Sequence, residues 1–546
     1  MAEDGRNVIS VMKITLGVVA LLLVAVASVW WFSQPRPIEG TSQTNYLLDW
    51  PERSTINTQR GAVTGLSDGN SLAFLGLPYA RPPVGERRFK PAEPLGEPSG
   101  DVDATNFPNI CIQNDPPALF GANRSTRSED CLYLNIFTPS TEGKARPVLV
   151  WIHGGSASGS ANDTDGSILA EQGDVVVVAI NFRVGMLGFL DLSGYGDEFD
   201  GSASNGHRDQ IQALRWVRDN IADFGGDKDN VTIFGESAGG QAVLAIMSAP
   251  IADGLYHKAI VHSGGDVNKP PVDTRATLAK QLRADEGELL EKLRTLPAET
   301  LLAAQTAISW GDPGHIDGVV VTRSAKNAII ERGTDGVPLI VGSNLDEGTM
   351  FSYLIPSYLF GLVVEAIGGT VLEQMDGKQY VEELKAAFPE ANRTQILERV
   401  FTDSIVRTGV NAAARASAEG PGGWLYRFDF PVQRLPGLGA THAAEIAFTF
   451  NQFVRELPDT AYWYDPNDAT VRQLANDWSN TVIQFAKTGD PNGAGLPTWP
   501  RYTAESRHAL LLDDNPRVIS NPHAADRDRW GDIETSSSEY LTSRAR

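Results

Sequence analysis

The stretch Val231-Thr-Ile-Phe-Gly-Glu-Ser-Ala-Gly-Gly240 limits what this chain can fold into more than any other. A short apolar run of β type ends at Gly235-x-Ser237-x-Gly239, and an apolar, helix-compatible segment, Gln241 to Met247, follows. A serine on so tight a strand-to-helix turn is pushed out of the sheet with its Oγ exposed. The flanking glycines remove Cβ atoms that would clash in the turn. The helix that starts there aims its free N–H groups and positive dipole end at the place where an oxyanion would form. Gly-x-Ser-x-Gly alone also makes ordinary turns, so the rest of the chain decides its meaning.

The surrounding pattern is that of an α/β protein. Val148–Ile152 and Val175–Ile180 are continuous apolar runs, as expected of strands buried on both faces. Between Arg208 and Phe224, Ile211, Leu214, Val217, Ile221 and Phe224 recur at helical spacing, with Arg215, Arg218 and Asp219 between them. Further apolar runs at Ala259–Val261, Val337–Val341 and Trp424–Phe428 extend the same sheet, and Phe74 to Pro78 reads as a strand entering a proline-stiffened turn. The expected architecture is a central, mostly parallel, twisted sheet flanked by helices. Residues 275–310 and 355–400 read as helical insertions over its catalytic edge. Such sheets place their chemistry at the carboxyl ends of the strands, where Ser237 lies.

The ends of the chain read differently. Residues 1–13 form a short N-terminal tail, and residues 14–32 carry no charge. At about 1.5 Å per residue that run matches a hydrocarbon core of about 30 Å. Arg6 and Lys13 precede it, and Trp30 and Trp31 stand where an aromatic belt would. A transmembrane signal-anchor is the first reading. A secretory signal peptide is the alternative, because Ala25-Val26-Ala27 resembles a small-x-small cleavage site. Both send the remainder out of the cytoplasm, either held at the membrane by the N-terminal helix or secreted. Residues 33–60 read as a tether, 61–515 as the catalytic domain and 516–546 as a polar tail. In an exported protein, Cys111 and Cys131 read as a loop-closing disulfide, with two buried free thiols as the alternative.

The net charge, 46 − 68 = −22, argues against a nucleic-acid partner, which is bound mainly through basic patches. No Cys/His cluster stands at metal-ligand spacing, and there is no phosphate or dinucleotide glycine loop, so neither metal nor cofactor is implied.

A serine hydroxyl needs a base to take its proton and a third group to orient that base. His442 sits in a Gly-rich loop, Gly437-Leu-Gly-Ala-Thr-His442, after the run ending near Phe428. His315 lies in a Gly/Pro/Asp loop that suits a surface role, and His508 and His523 lie in the polar C-terminal region. The acid should also follow a strand, and Val337–Val341 leads into Gly-Ser-Asn-Leu-Asp346-Glu347. Chemistry alone does not separate those two acids. Trp151-Ile-His153-Gly154-Gly155-Ser156, directly after a strand, has the loop chemistry of an oxyanion hole, with the N–H of Ala238 as partner donor.

Together these segments resemble the type-B carboxylesterase and cholinesterase family, which has the α/β-hydrolase fold. The resemblance runs from about Gly61 to Tyr502. It is carried by Gly76-Leu-Pro-Tyr-Ala-Arg-Pro-Pro-Val-Gly85, Glu129-Asp-Cys-Leu-Tyr-Leu-Asn135, Asn181-Phe-Arg-Val-Gly-Met-Leu-Gly-Phe189 and Phe234-Gly-Glu-Ser-Ala-Gly-Gly240. Later matches are Asn344-Leu-Asp-Glu-Gly348, His442 and Thr488-Gly-Asp-Pro-Asn492. The resemblance implies a triad of Ser237, Glu347 and His442, and an oxyanion hole from the N–H groups of Gly155, Ser156 and Ala238. It makes Cys111–Cys131 the family's first disulfide loop, and Trp310 and Glu236 candidate pocket residues. It also implies an ester substrate, a serine carboxylesterase activity and no cofactor.

Three departures stand out. Ser156 replaces a common third glycine, and the Ile112–Asp130 loop holds no tryptophan to attract a quaternary ammonium. The third is His207, which takes the place of a usual leucine. A catalytically dead adhesion or scaffold protein on the same fold is the rival reading, but such relatives lack a triad member. Amide or carbamate hydrolysis is a third possibility. His442 is expected to be neutral near pH 8.

Overall fold

The apolar runs of the sequence become the middle of one large sheet. The computed structural model describes residues 46–522 and 524, except 98–99, 116–124, 156–157, 266, 268–269, 309–315, 356–358, 362–376, 436 and 455–462. The 14–32 run and its flanks, Ser156, Trp310, His315, His523 and residues 525–546 lie outside the described residues. Among the described residues no helix is long and apolar enough to cross a membrane.

In chain order the strands are β1 (Glu52–Thr58), β2 (Gly61–Ser67), β3 (Leu72–Pro78), β4 (Val102–Asp103), β5 (Ile110–Cys111), β6 (Arg127–Ser128), β7 (Tyr133–Thr138) and β8 (Arg146–Ile152). They continue with β9 (Val176–Ile180), β10 (Gly226–Glu236), β11 (Lys258–His262), β12 (Leu339–Asn344), β13 (Gly423–Phe428), β14 (His508–Leu512) and β15 (Arg517–Ser520). β5 and β6 pair with each other near the disulfide. The others form one sheet in the order β1-β2-β3-β7-β9-β8-β10-β11-β12-β13-β14-β15, with β4 beside β2. From β9 to β14 every neighbour is parallel. Antiparallel pairs close both edges.

Helices on both faces explain why the central strands are apolar throughout. Val148, Val150 and Ile152 of β8 face Ile211, Leu214 and Val217 of the helix Asn205–Asn220 and Val243 and Ile246 of the helix Ala238–Met247. The alternate residues Leu149 and Trp151 face Trp478, Val482 and Phe485 of the helix Ala469–Thr488. At about 1.5–3 kcal/mol per fully buried large side chain, these two layers supply most of the driving force for assembly. The Asp468 side chain caps the last helix at its start by accepting from the Thr470 N–H, and Gly489, at φ 78°, ends it.

The described parts of the insertions are helical, while 309–310, 356–358 and 362–376 lie outside the described residues. Arg275–Gln281, Glu286–Thr295 and Ala298–Ala307 gather around Leu278, Leu289, Leu293 and Leu301. Gly377–Ala387 and Arg393–Phe401 enclose Phe360, Tyr380, Leu384 and Val400. The second group meets the catalytic edge directly, because Thr402 Oγ1 accepts the Gly348 N–H at 3.0 Å.

The domain edges differ from the sequence reading. β1 lies inside the stretch read as a tether, yet it pairs with β2 from Glu52↔Ser67 to Thr58↔Gly61. β15 lies inside the stretch read as a polar tail and pairs with β14, which His508 opens. Both are edge strands held by backbone pairing; β1 is mostly charged and polar and β15 offers only Val518 and Ile519, so no long apolar run announces them.

Candidate active site

Ser237 follows β10 directly and has φ 57° and ψ −122°, a conformation that costs a non-glycine residue about 1–3 kcal/mol. Two bonds hold it there. Its N–H donates to His262 O at the end of β11, and its carbonyl accepts from the Gln241 N–H, each at 2.9 Å. The motif glycines are needed for space. A Cβ on Gly239 would stand 2.0 Å from Ile152 O, and one on Gly235 would stand 2.6 Å from both Ile152 O and the Gly239 backbone. The serine is thus wedged against the neighbouring strand β8, and its side chain leaves the sheet.

Two loops bring the other groups to it. β12 ends at Asn344, and Glu347 follows in the turn before the helix Gly348–Leu354. His442 lies in the loop after β13. His442 Nε2 is 2.7 Å from Ser237 Oγ, and His442 Nδ1 is 2.5 Å from Glu347 Oε2. Glu347 is fully buried, and its Oε1 accepts from Ser263 Oγ at 2.6 Å and from the Asn344 N–H at 2.7 Å. Asp346, the neighbouring acid, turns the other way and accepts the Ala440 N–H at 3.0 Å. The Phe351 ring packs 5.3 Å from the imidazole.

Two more carboxyl groups share this buried space. Glu236 Oε1 lies 3.2 Å from His442 Nε2 and has no hydrogen-bond partner among the described residues. Glu445 accepts from Asn344 Nδ2 at 2.6 Å. Burial and the neighbouring carboxylates push Glu236 up to about 8 and Glu445 up to about 7. Burial opposes charge on His442, but the combined pull of Glu236, Glu347 and Glu445 outweighs it and raises the imidazole to about 9. This pull works against the neutral His442 expected near pH 8, for an electrostatic reason invisible in the sequence. A proton held on Glu236 removes one of those charges, so the two groups compete for it and titrate together. Glu236, read as a pocket residue, is buried beside His442.

The loop read as an oxyanion hole leaves β8 at Ile152. A Cβ on Gly154 would meet Glu236 O at 2.6 Å and Ser237 Cβ at 3.2 Å, so only glycine lets the loop lie on the serine turn. Gly155 follows at φ 97°, and Ala238 opens the helix behind Ser237. Ser156 lies outside the described residues. The Gly154 carbonyl can only accept, so His153 Nδ1, 2.9 Å away, carries the proton. The His153 ring stacks on Phe182 at 4.3 Å, and burial lowers its pKa to about 4. His207 lines a small cavity behind this loop with His153, Gly154, Gln210, Ala238 and Gln241. Its Nδ1 is 3.0 Å from Gln210 Oε1, and its ring meets the edge of Phe189 at 5.1 Å. Cys111 and Cys131 are joined in a disulfide with their Cα atoms 4.9 Å apart.

Comparison with known proteins decides what this arrangement belongs to. The carboxylesterase family model matches residues 52–530. The chain belongs to the carboxylesterase family. It is 36% identical over 491 residues to the para-nitrobenzyl esterase of Bacillus subtilis (strain 168), covering 87% of this chain and 98% of that protein. It is 34% identical over 519 residues to the human cocaine esterase, covering 86% and 89%. A crystal structure of a Geobacillus stearothermophilus carboxylesterase superposes with a TM-score of 0.76 at 34% identity, over 88% of this chain and all of that one. This carboxylesterase is a carboxylic ester hydrolase with the α/β-hydrolase fold.

Several groups around the esterase site were not singled out by the sequence. His257 and His262 also follow the serine, and His262 holds the Ser237 N–H through its carbonyl. Ser263, at φ 52° just past β11, and Glu445, three residues after His442, complete the buried acid cluster. The only available signal was position, since Ser263 follows a strand at the same sheet edge as Ser237.

Proposed function

We propose that this esterase works through an acyl-enzyme on Ser237, with His442 as base and then acid, and Glu347 as the group that orients it. The observation that carries the reading is the unbroken line of 2.7 Å and 2.5 Å contacts from Ser237 Oγ through the imidazole to Glu347. Ser237 Oγ attacks the ester carbonyl carbon while its proton passes to His442 Nε2. The resulting imidazolium is stabilised by Glu347 through Nδ1–H. The C–O bond to the alcohol then breaks, and His442 returns the proton to the leaving oxygen. Water attacks the acyl-enzyme by the same route and releases the acid. The N–H groups of Gly155, Ser156 and Ala238 serve as donors to the developing oxyanion, and loss of one such donor costs about 10²–10³ in turnover.

The names of two relatives, a para-nitrobenzyl esterase and a cocaine esterase, favour aromatic esters, and the missing tryptophan in the Ile112–Asp130 loop disfavours any gain from a choline charge. The uncharged run 14–32 supports export, with the catalytic domain outside the cytoplasm and either anchored or released by cleavage. Turnover of p-nitrophenyl esters of rising chain length, with Ser237→Ala as control, tests the mechanism. Organophosphonate labelling of the wild-type enzyme at any residue other than Ser237 would overturn it.

A further inference from the structure

We propose that Asp346 is a positioning residue that clamps the acid turn to the histidine loop and thereby sets the Glu347–His442 hydrogen bond. The inference rests on the Ser237–His442–Glu347 reading above. Asp346 grips one residue of the opposite loop twice. Its N–H donates to Ala440 O, and its Oδ2 accepts the Ala440 N–H, both at 3.0 Å. The result is an isolated parallel bridge, Asp346↔Thr441, beyond the ends of β12 and β13.

Thr349 reinforces the same junction. Its Oγ1 lies 2.6 Å from Asp346 O, 2.6 Å from Leu438 O and 2.8 Å from Thr441 Oγ1. A hydroxyl donates once, so its proton serves one of those three acceptors at a time. Asn344 Nδ2 reaches Thr441 O at 2.7 Å from the strand side, and Arg407 Nη2 holds Leu345 O at 3.0 Å from the helical insertion. Gly439, at φ +62°, leaves room for the clamp, because a Cβ there would stand 2.2 Å from Asp346 Oδ2.

The clamp sits one residue before Glu347 and two before His442. A slip of one loop past the other therefore moves Glu347 Oε2 relative to Nδ1 directly, and about 1 Å of misplacement can cost roughly 10²-fold in rate. Asp346 touches no reacting atom; it acts through the backbone of the two loops.

The test compares Asp346→Ala, Asp346→Asn and Gly439→Ala with Glu347→Gln in the full chain, on a p-nitrophenyl ester. Asp346→Ala should lower kcat by about 30- to 100-fold with KM within about threefold, and should slow organophosphonate labelling of Ser237 by a similar factor. Asp346→Asn keeps an acceptor for the Ala440 N–H and should stay within about tenfold of wild type. Gly439→Ala, which displaces the carboxylate from the other side, should reproduce the Asp346→Ala loss and serves as the reading if that variant fails to fold. A folded Asp346→Ala or Gly439→Ala enzyme with wild-type kcat overturns the clamp, as does an equal loss in the Asn and Ala variants. Wild-type turnover in Glu347→Gln would instead overturn the triad reading on which the clamp rests.

Discussion

Replacing Glu347 by glutamine should disable this esterase by locking its histidine in the wrong tautomer. The Asn344 N–H and the Ser263 hydroxyl both donate to Glu347 Oε1. The Asn344 donor is backbone and cannot turn away, so a glutamine must keep its carbonyl oxygen there. Its NH₂ then occupies the Oε2 position, 2.5 Å from His442 Nδ1, and donates to that nitrogen. The ring proton moves to Nε2, which faces Ser237 Oγ at 2.7 Å as a donor and cannot take its proton. The other tautomer would set two donors against each other in a fully buried site, at a cost of about 1–3 kcal/mol, and would leave the imidazolium without its counter-charge. The comparable change in a serine protease lowers turnover about 10⁴-fold, or roughly 5 kcal/mol of barrier, and a loss of that order is expected here. Turnover on a short acyl ester would be measured across pH 7 to about 10, because His442 titrates high, with melting temperature as the folding check. Imidazole nitrogen shifts in labelled protein would report the tautomer. A folded variant within about tenfold of wild type, or one with its proton still on Nδ1, would refute the argument.

Other outcomes follow from the same geometry. Glu236→Gln removes a carboxylate that holds His442 in its charged form, so the acid limb of kcat/KM should move to lower pH by about one unit or more; an unmoved limb would count against the shared cluster. Gly239→Ala would normally add a few tenths to about 1 kcal/mol to a helix. Here the new Cβ meets Ile152 O at 2.0 Å, so a lower melting temperature and a large loss of kcat are expected, and a stabilised, active variant would contradict the wedge. Cys111 and Cys131 close a loop worth about 3 kcal/mol in the chain-entropy model. Peptide mapping without reductant should recover them joined, and two alkylatable thiols in the folded, active protein would exclude the bond. A choline ester should be hydrolysed no faster than its uncharged isostere; a strong preference for choline would reveal an aromatic cation site elsewhere.

How far the sequence could be read depended on what each residue faces. Val148–Ile152 and Val176–Ile180 were visible because both of their faces are buried, which leaves no polar position in the run. β1 was invisible for the opposite reason: Glu52, Arg53 and Asn57 lie on an edge strand whose stability comes from the backbone ladder. The serine turn was legible because its glycines are a steric requirement written into the sequence. Asp346 and Glu347 could not be told apart by composition, since each is an acid on the same turn. The structure separates them by direction, one toward the imidazole and one toward Ala440 N–H. Glu445 was hidden because an acid beside His442 reads as a solvated helix face until the packing of Ser263 and Asn344 encloses it.

The strand order also has a consequence for how the enzyme is made. Ser237 leaves β10, while Glu347 and His442 follow β12 and β13, so the three side chains meet across sequence separations of 205 and 95 residues. Contacts this distant form late, because the entropy of closing long loops must be overcome before they repay it. A nascent chain emerging from a ribosome can pair β8, β9 and β10 and even shape the serine turn, yet it lacks the proposed base until residue 442 is out and β13 has docked beside β12. Ester hydrolysis should therefore switch on in one step as the sheet closes, and its onset during refolding marks the docking of β13.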